Sequence, residues 1–456
     1  REAIEWVNEE IKKLEGEIRE GEKQIDEIRM NGYKRLLIMR ELVQMEENKL
    51  KIKNLLGRSE RVKVIEGWTP KEKVDRIVEG VREAAGEFCI IEVKEPRRDD
   101  VRVPSLLKNP KIIMPFESIV TLYGYPLYKE IDPTILTAII FPVLFGFIFP
   151  DIGHGFLLLL LGLAFAFAFK GLGKELRGMG TIIALCGLWS LIAGALFGEF
   201  FGFSEYASHL VVESLGMSIP HWLIFKPLWF EPIHEVEFMF VVTMLIGALH
   251  MGLGLVLNGM NSFSNRKILE GITCFIRIWC LFGALYFLLL LFGFYFTELK
   301  EGNIDVLLRN AAIFIVLPII LLMGLKMATE FRHGGENKSS IMDSFIIFME
   351  GIIDALLENF FRFLANTVSY GRILALALCH AALMEVFILL SFICLKVNIG
   401  VAALVFLAGT AIVVALEALI AGIHTIRLHF YEWFTKFYDG GGIEFRPFRL
   451  SRTYTE

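Results

Sequence analysis

From Ile4 onward the apolar residues Ile4, Val7, Ile11, Leu14, Ile18, Ile25 and Ile28 occupy the a and d positions of a heptad, with Gly21 at one d position. This pattern predicts a coiled-coil arm. Asn31-Gly32 can break it, and a second helical stretch over residues 33–56 then supplies either an antiparallel partner or a continuation. Residues 61–66 alternate as a strand does. Thr69-Pro70-Lys71-Glu72 predicts a capping box with Pro at N1, and residues 89–93 are a second β-rich run, which together predict a small βαβ lobe. Residues 104–128, punctuated by Pro, Gly and Tyr, read as an ordered linker ending at Asp132-Pro133, an N-cap and N1 pair.

Beyond it the pattern becomes almost continuously apolar. Eight stretches are predicted to span a bilayer: 134–150, 153–170, 179–200, 237–257, 268–296, 308–328, 343–396 and 399–437. The first is short. The last two exceed the ~20 residues needed to cross, so they must be tilted, broken or extended into the aqueous layer. The predicted fold is an α-helical polytopic membrane protein. Its parts are a coiled-coil arm (1–57), an α/β lobe (58–100), a linker (101–132), a membrane domain (133–438) and a tail (439–456).

Composition agrees with this division. The chain has 456 residues, 55% of them hydrophobic, and a mean hydropathy of +0.55, more than a soluble core requires. Of the first 60 residues 27 are Asp, Glu, Lys or Arg, whereas residues 134–169 contain one, Asp151. The net charge of -5, with early charges alternating in sign, gives no case for nucleic acid. The six cysteines lack tight metal spacing and read as structural. Lys170, Lys174, Arg177, Arg266, Lys267, Lys326, Arg332, Lys338, Arg446, Arg449 and Arg452 lie on the side of the arm. The opposite loops carry only Lys226, Lys300, Arg309 and Lys396, so both termini are expected in the cytoplasm.

Charge at bilayer depth costs ~2.5–3.5 kcal/mol per residue on insertion scales and normally serves function. The last two spans hold most of it: Asp354, Glu358, Arg362, Arg372, His380 and Glu385 on the seventh, Glu417, His424, Arg427 and His429 on the eighth. Along a straight helix Glu358 is ~21 Å from Arg372, and His380 ~12 Å beyond it. Two antiparallel helices can thus offer a cytoplasmic acid, a central pair of arginines and a far-side group of His and Glu. Arginine stays charged and cannot pass a proton onward, whereas Glu and His can. An ion path interrupted by fixed positive charge and a set of internal salt bridges both fit this content.

The stretch Val368-Ser369-Tyr370-Gly371-Arg372-Ile373-Leu374-Ala375-Leu376-Ala377-Leu378-Cys379-His380-Ala381 resembles the V-S-Y-x-R-L-x-A-L-x-L-A-H-A signature of the V/A-type rotary ATPase subunit a (or I) family. Glu417, His424, Arg427 and His429 match downstream positions of that family, and Pro150-Asp151-Ile152-Gly153-His154-Gly155 is similar to its F-G-D-x-G-H-G. Further matches are Gly198-Glu199-Phe200-Phe201, Glu444-Phe445-Arg446-Pro447-Phe448 and Ile65-Glu66-Gly67-Trp68-Thr69-Pro70, so the resemblance covers residue 60 to the C-terminus. Two departures are a shorter cytoplasmic part than usual, as in an N-terminally shortened member, and Gly371 where many members carry a larger residue.

The resemblance implies a stator subunit that is not an enzyme by itself and couples H⁺ or Na⁺ movement to ATP hydrolysis or synthesis elsewhere in the complex. Arg372 and Arg427 would face the rotor ring. Glu417, His380, His424, Glu358 and Glu385 would line half-channels, with Ser369, Asp151, His154, Glu199, Arg362 and His429 as further candidates. Asp151 and His154 read equally well as a turn or cap, and Arg362 competes with Arg372 on geometry alone. Implied partners are the ring of c/K proteolipid subunits, peripheral-stalk E/G(H)-type subunits, a central-stalk base subunit and membrane lipid. The compact loops favour the plasma membrane of a prokaryote or archaeon. No cofactor is expected. No G-x-x-x-x-G-K-[ST] occurs, and His209, His221, His234 and His250 lack zinc-ligand spacing, so neither nucleotide nor metal is expected. The alternatives are a secondary ion-coupled transporter, for which no internal repeat is found, and a non-transporting membrane scaffold.

Overall fold

The computed structural model describes residues 2–58, 62–97, 100, 102–168, 173–216, 220, 224–291, 304–333, 341–448, 452 and 454. The chain divides into two compact units, Arg1–Val93 with Phe445–Glu456, and Lys94–Glu444.

The first unit is dominated by α1 (Glu2–Leu55), one uninterrupted 54-residue helix. Of the two outcomes left open at Asn31-Gly32, the continuation forms, because a mid-helix glycine costs only about 1 kcal/mol and does not by itself force a break. Ile11, Leu14, Ile18, Ile25 and Ile28 of the heptad face are all exposed, while Ile4 and Val7 lie outside the residues whose side chains are described. After α1, β1 (Gly57–Arg58) pairs antiparallel with β2 (Lys63–Val64), and α2 (Val74–Ala85) follows a 3₁₀ turn over Lys71–Lys73. Pro70, expected at N1, is instead the N-cap of that turn. Residues 89–93 form no strand. With Phe88 and Ile90 fully exposed, the run has no ladder beside it, and β-propensity alone does not hold an isolated strand.

The second unit is a helical bundle. A two-residue β3 (Pro104–Ser105) pairs in parallel with β4 (Ile443–Glu444), close in space to α3 (Glu117–Tyr123), because Tyr438 donates its hydroxyl to the Gly124 carbonyl at 2.6 Å. Pro133, expected at N1, takes the N-cap position of α4 (Thr134–Ile148), and the Asp132 carboxylate before it accepts from the Thr134 amide at 2.9 Å. Next come α5 (Ile152–Leu163), α6 (Lys174–Phe197), a short α7 (Glu205–Leu215) that the sequence pattern did not disclose, and α8 (Val236–Ser264). The remaining helices are α9 (Ile268–Leu291), α10 (Ile304–Ala311), α11 (Leu317–His333), α12 (Ile341–Ile353), α13 (Arg362–Ser369), α14 (Gly371–Leu395) and α15 (Ile399–Arg427).

Among the described residues six helical segments are long and apolar enough to cross a membrane, and the first two predicted spans form shorter apolar helices, Thr134–Ile148 and Ile152–Phe167. Four π-helical segments extend or join helices among the described residues: Ala164–Ala168, Ala312–Val316, Asp354–Phe361 and Leu428–Trp433. The seventh predicted span is therefore one 48-residue apolar stretch, Phe348–Leu395, widened at Asp354–Phe361 and stepped at Tyr370 between α13 and α14. The straight-helix spacing of Glu358 and Arg372 does not apply across these two irregularities.

Close packing of α5 on α6 fixes the turn that carries Asp151. A side chain on Gly155 would meet the Leu191 amide nitrogen at 2.6 Å, so the two backbones touch in a way only glycine permits. At the centre, Phe141, Leu144 and Phe145 of α4 join one core with Tyr370 and Ile373 at the step, Met384 of α14 and Val413 of α15. That core holds α14 and α15 against the α4–α5 turn.

Candidate functional site

Two polar clusters are built where these helices meet. The first forms at the step between α13 and α14. Arg372 Nη2 lies 2.6 Å from Glu432 Oε1, and Arg372 Nε donates to the Ser369 carbonyl at 2.8 Å. Ser369 Oγ donates to the same Glu432 oxygen at 2.5 Å and also contacts Arg372 Nη2. The guanidinium is thus fastened through Nε and Nη2, while Nη1, also buried, has no hydrogen-bond partner among the described residues. Glu432 comes from the Leu428–Trp433 π-segment and is buried. Reading the charges of the last span residue by residue passed over it, although an acid at that depth signals a partner. A Cβ on Gly371 would meet Phe240 at an ordinary 3.5 Å, so packing tolerates a larger residue there.

Behind this pair is a second group that the sequence did not bring together. The Tyr370 hydroxyl is 2.8 Å from His250 Nδ1, and the His250 ring lies 5.0 Å from that of His429 and 4.8 Å from that of Trp433. His429 Nδ1 is 3.0 Å from the Thr425 carbonyl. His250 Nε2, His429 Nε2, Trp433 Nε1 and Glu432 Oε2 are all buried without a hydrogen-bond partner among the described residues.

The other cluster joins α14 and α15 to the α4–α5 turn. His380 Nδ1 is 2.5 Å from Glu417 Oε2, and His380 Nε2 is 3.6 Å from Asp151 Oδ2. Asp151 does cap α5: its Oδ1 accepts from the His154 amide at 2.9 Å. It also accepts from the Phe201 and Gly202 amides at 3.1 and 2.8 Å, tying down the loop after α6. Its Oδ2 is 3.0 Å from His154 Nδ1. Glu199, buried, receives the Ile152 amide on its carbonyl at 2.9 Å, and its carboxylate is within electrostatic reach of His380, Asp151 and Glu417. Asp151 therefore fills the cap role and joins the titratable group at once.

The remaining candidates stand apart from these contacts. Arg427 is exposed at the end of α15, and His424, one turn before it, is within electrostatic reach of both Arg372 and Arg427. Glu385 is half-buried on α14 with its Oε1 unpartnered. Glu358 and Arg362 are exposed on or just after the π-segment at Asp354–Phe361. Chemically, the chain holds one fastened, permanently charged guanidinium and, separately, a continuous His–Glu–Asp group able to exchange protons.

The model of the V-type ATPase 116 kDa subunit family matches residues 1–318 and 324–450. The chain is similar to the A-type ATP synthase subunit I of Methanocaldococcus jannaschii, 29% identical over 476 residues that cover 100% of this chain and 64% of the relative. It is 27% identical to the subunit of the same name from Pyrococcus horikoshii, covering 96% of this chain and 62% of the relative. The Methanothermobacter thermautotrophicus subunit is 27% identical, with 92% and 56% covered. The chain thus spans 56–64% of the length of these three relatives.

Proposed function

Because the chain belongs to the V-type ATPase 116 kDa subunit family, we propose that it is the membrane stator of an archaeal-type rotary ATPase and that Arg372 is the fixed charge facing the rotor. The observation that carries this reading is the one-sided fastening of Arg372 by Glu432 and Ser369, which leaves Nη1 without a partner.

In this reading a ring subunit supplies a carboxylate that alternates between neutral and charged. A neutral acid can travel through lipid; a charged one cannot. When the loaded acid reaches Arg372, the guanidinium favours the carboxylate, and the proton leaves toward the cytoplasm, with Glu358 and Arg362 at that mouth. Arg427, with His424 between the two arginines, serves as companion charge. On the far side Glu417, His380, Asp151, His154 and Glu199 pass a proton to the next empty carboxylate, with Glu385 further along α14. Because arginine cannot relay a proton, the two paths meet without short-circuiting, so flow requires rotation. With a His–Glu–Asp relay on the far side, the scheme is written for H⁺.

Glu432 has a defined part here. It holds the guanidinium in register and leaves the N–H groups of Nη1 as the donors for a second carboxylate. Tyr370, His250, His429 and Trp433 support the helix step that positions this pair. The exposed apolar face of α1 is suited to a helical peripheral-stalk partner by knobs-into-holes packing, and the central-stalk base and catalytic subunits complete the machine. The subunit binds no nucleotide in this account.

The test is Arg372→Ala in the assembled complex reconstituted in vesicles. Loss of ATP-driven ion uptake with normal assembly supports the proposal; uptake at the wild-type rate overturns it. Normal uptake would also favour the reading as a non-transporting scaffold.

A further inference from the structure

The Asp151, His154 and His380 group carries a consequence beyond proton exchange. Each offers one ligand atom, these atoms lie within 4.8 Å of one another, and all three residues are buried. Asp151 Oδ2 sits 3.0 Å from His154 Nδ1 and 3.6 Å from His380 Nε2. In tetrahedral coordination with bonds of about 2.0–2.1 Å, ligand atoms stand roughly 3.3 Å apart. Two edges of such a tetrahedron are therefore nearly formed.

Second, the ring nitrogens involved are not committed elsewhere. His154 Nδ1 and His380 Nε2 are buried and both face the Asp151 carboxylate, the third member of the site, with no other hydrogen-bond partner among the described residues. Third, the opposite nitrogen of His380 points at a carboxylate, Glu417, 2.5 Å away. A metal-binding histidine is usually oriented in this way, by giving its other N–H to an acid that fixes the tautomer and raises basicity. Fourth, three backbone amides pin the Asp151 carboxylate before anything binds.

We propose that Asp151, His154 and His380 form a site for a divalent transition-metal ion of the Zn²⁺ class, with Glu417 orienting His380 and a water completing the shell. Two imidazoles and one carboxylate select Zn²⁺, Co²⁺ or Ni²⁺ over Mg²⁺ and Ca²⁺, which take oxygen ligands. Sequence spacing could not disclose it, because the two histidines lie on α5 and α14. Resting on the reading in which this cluster relays protons, the site has a regulatory consequence: a bound metal occupies the nitrogens that exchange protons and closes the far-side path.

The test titrates the intact reconstituted complex with ZnCl₂ and measures retained metal per chain after desalting. The wild type should retain about one equivalent more than His154→Gln or Asp151→Asn complexes, and Glu417→Gln should weaken Zn²⁺ binding about 10–100-fold. X-ray absorption of the Zn²⁺-loaded wild type, which needs no variant to fold, should show two imidazole nitrogens in the first shell. Equal retention in wild type and variants, or a shell lacking imidazole, overturns the site. Binding is read without transport, so it fails separately from the Arg372 reading. Loss of ATP-driven uptake on Zn²⁺ addition, restored by EDTA, supports the closing of the path, and stoichiometric binding with unchanged uptake overturns it.

Discussion

Arg372 Nη2 lies 2.6 Å from Glu432 Oε1, joining the start of α14 to the end of the last apolar segment across 60 residues of chain. The Glu432 side chain is 5% exposed and the Arg372 side chain 21%. Removing one partner strands the other. Glu432→Gln should cost about 3 kcal/mol, the low end of the range for a broken buried pair, because the arginine keeps some solvent contact. Thermal unfolding of the solubilised protein reads this, and Arg372→Gln/Glu432→Gln should recover most of the loss. A double variant as unstable as the sum of both singles would show that the pair is not coupled.

His380 and Glu417 form the shortest titratable contact between α14 and α15, at 2.5 Å. If they act as one unit, ATP-driven uptake by His380→Gln/Glu417→Gln should be no lower than by the worse single variant, since coupled sites are non-additive. Strictly multiplicative losses would place the two residues on separate steps.

How far these relationships were legible in the sequence depended on their range. The apolar stretches were visible because lipid exposure demands long unbroken runs, and Arg372 stood out because charge inside such a run is costly. What lay between stretches was not legible. Nothing in local spacing joins Glu432 to Arg372, or Asp151 and His154 to His380, because side-chain meetings across a bundle are set by helix rotation and by close approaches such as Gly155 on α6. The step at Tyr370 was equally hidden: Gly371 begins α14 beside it, but a glycine alone does not force a break, and a buried hydroxyl paired with His250 sits at the step.

That hydroxyl supports a third expectation. Tyr370→Phe leaves His250 Nδ1 without its partner in a dry site, which should cost about 1–3 kcal/mol. Differential scanning calorimetry should find a lowered transition, and His250→Phe in the same background should regain part of it. An unchanged transition in Tyr370→Phe would mean that the contact contributes nothing.

Outside the spans, Glu130 links the segment before α4 to the segment after the last span, accepting from the Leu127 amide at 2.9 Å and the Asp439 amide at 3.1 Å. Burial nonetheless raises its carboxyl above the ordinary value of 4.5, outweighing the two amides. The folded state then holds more protons than the unfolded one as pH climbs from 4.5 to the raised value. Its contribution is therefore full below that window and declines through it. Glu130→Gln should remove this part of the slope of stability against pH. An identical slope in variant and wild type would exclude the group as its source.

The central claim is that Arg372 is the fixed charge met by the rotor, and a density map of the assembled complex tests it most directly. The account predicts a ring-subunit carboxylate within about 4 Å of the Arg372 guanidinium. A map in which Arg372 faces only this chain, with the ring acid opposite another residue, would contradict it.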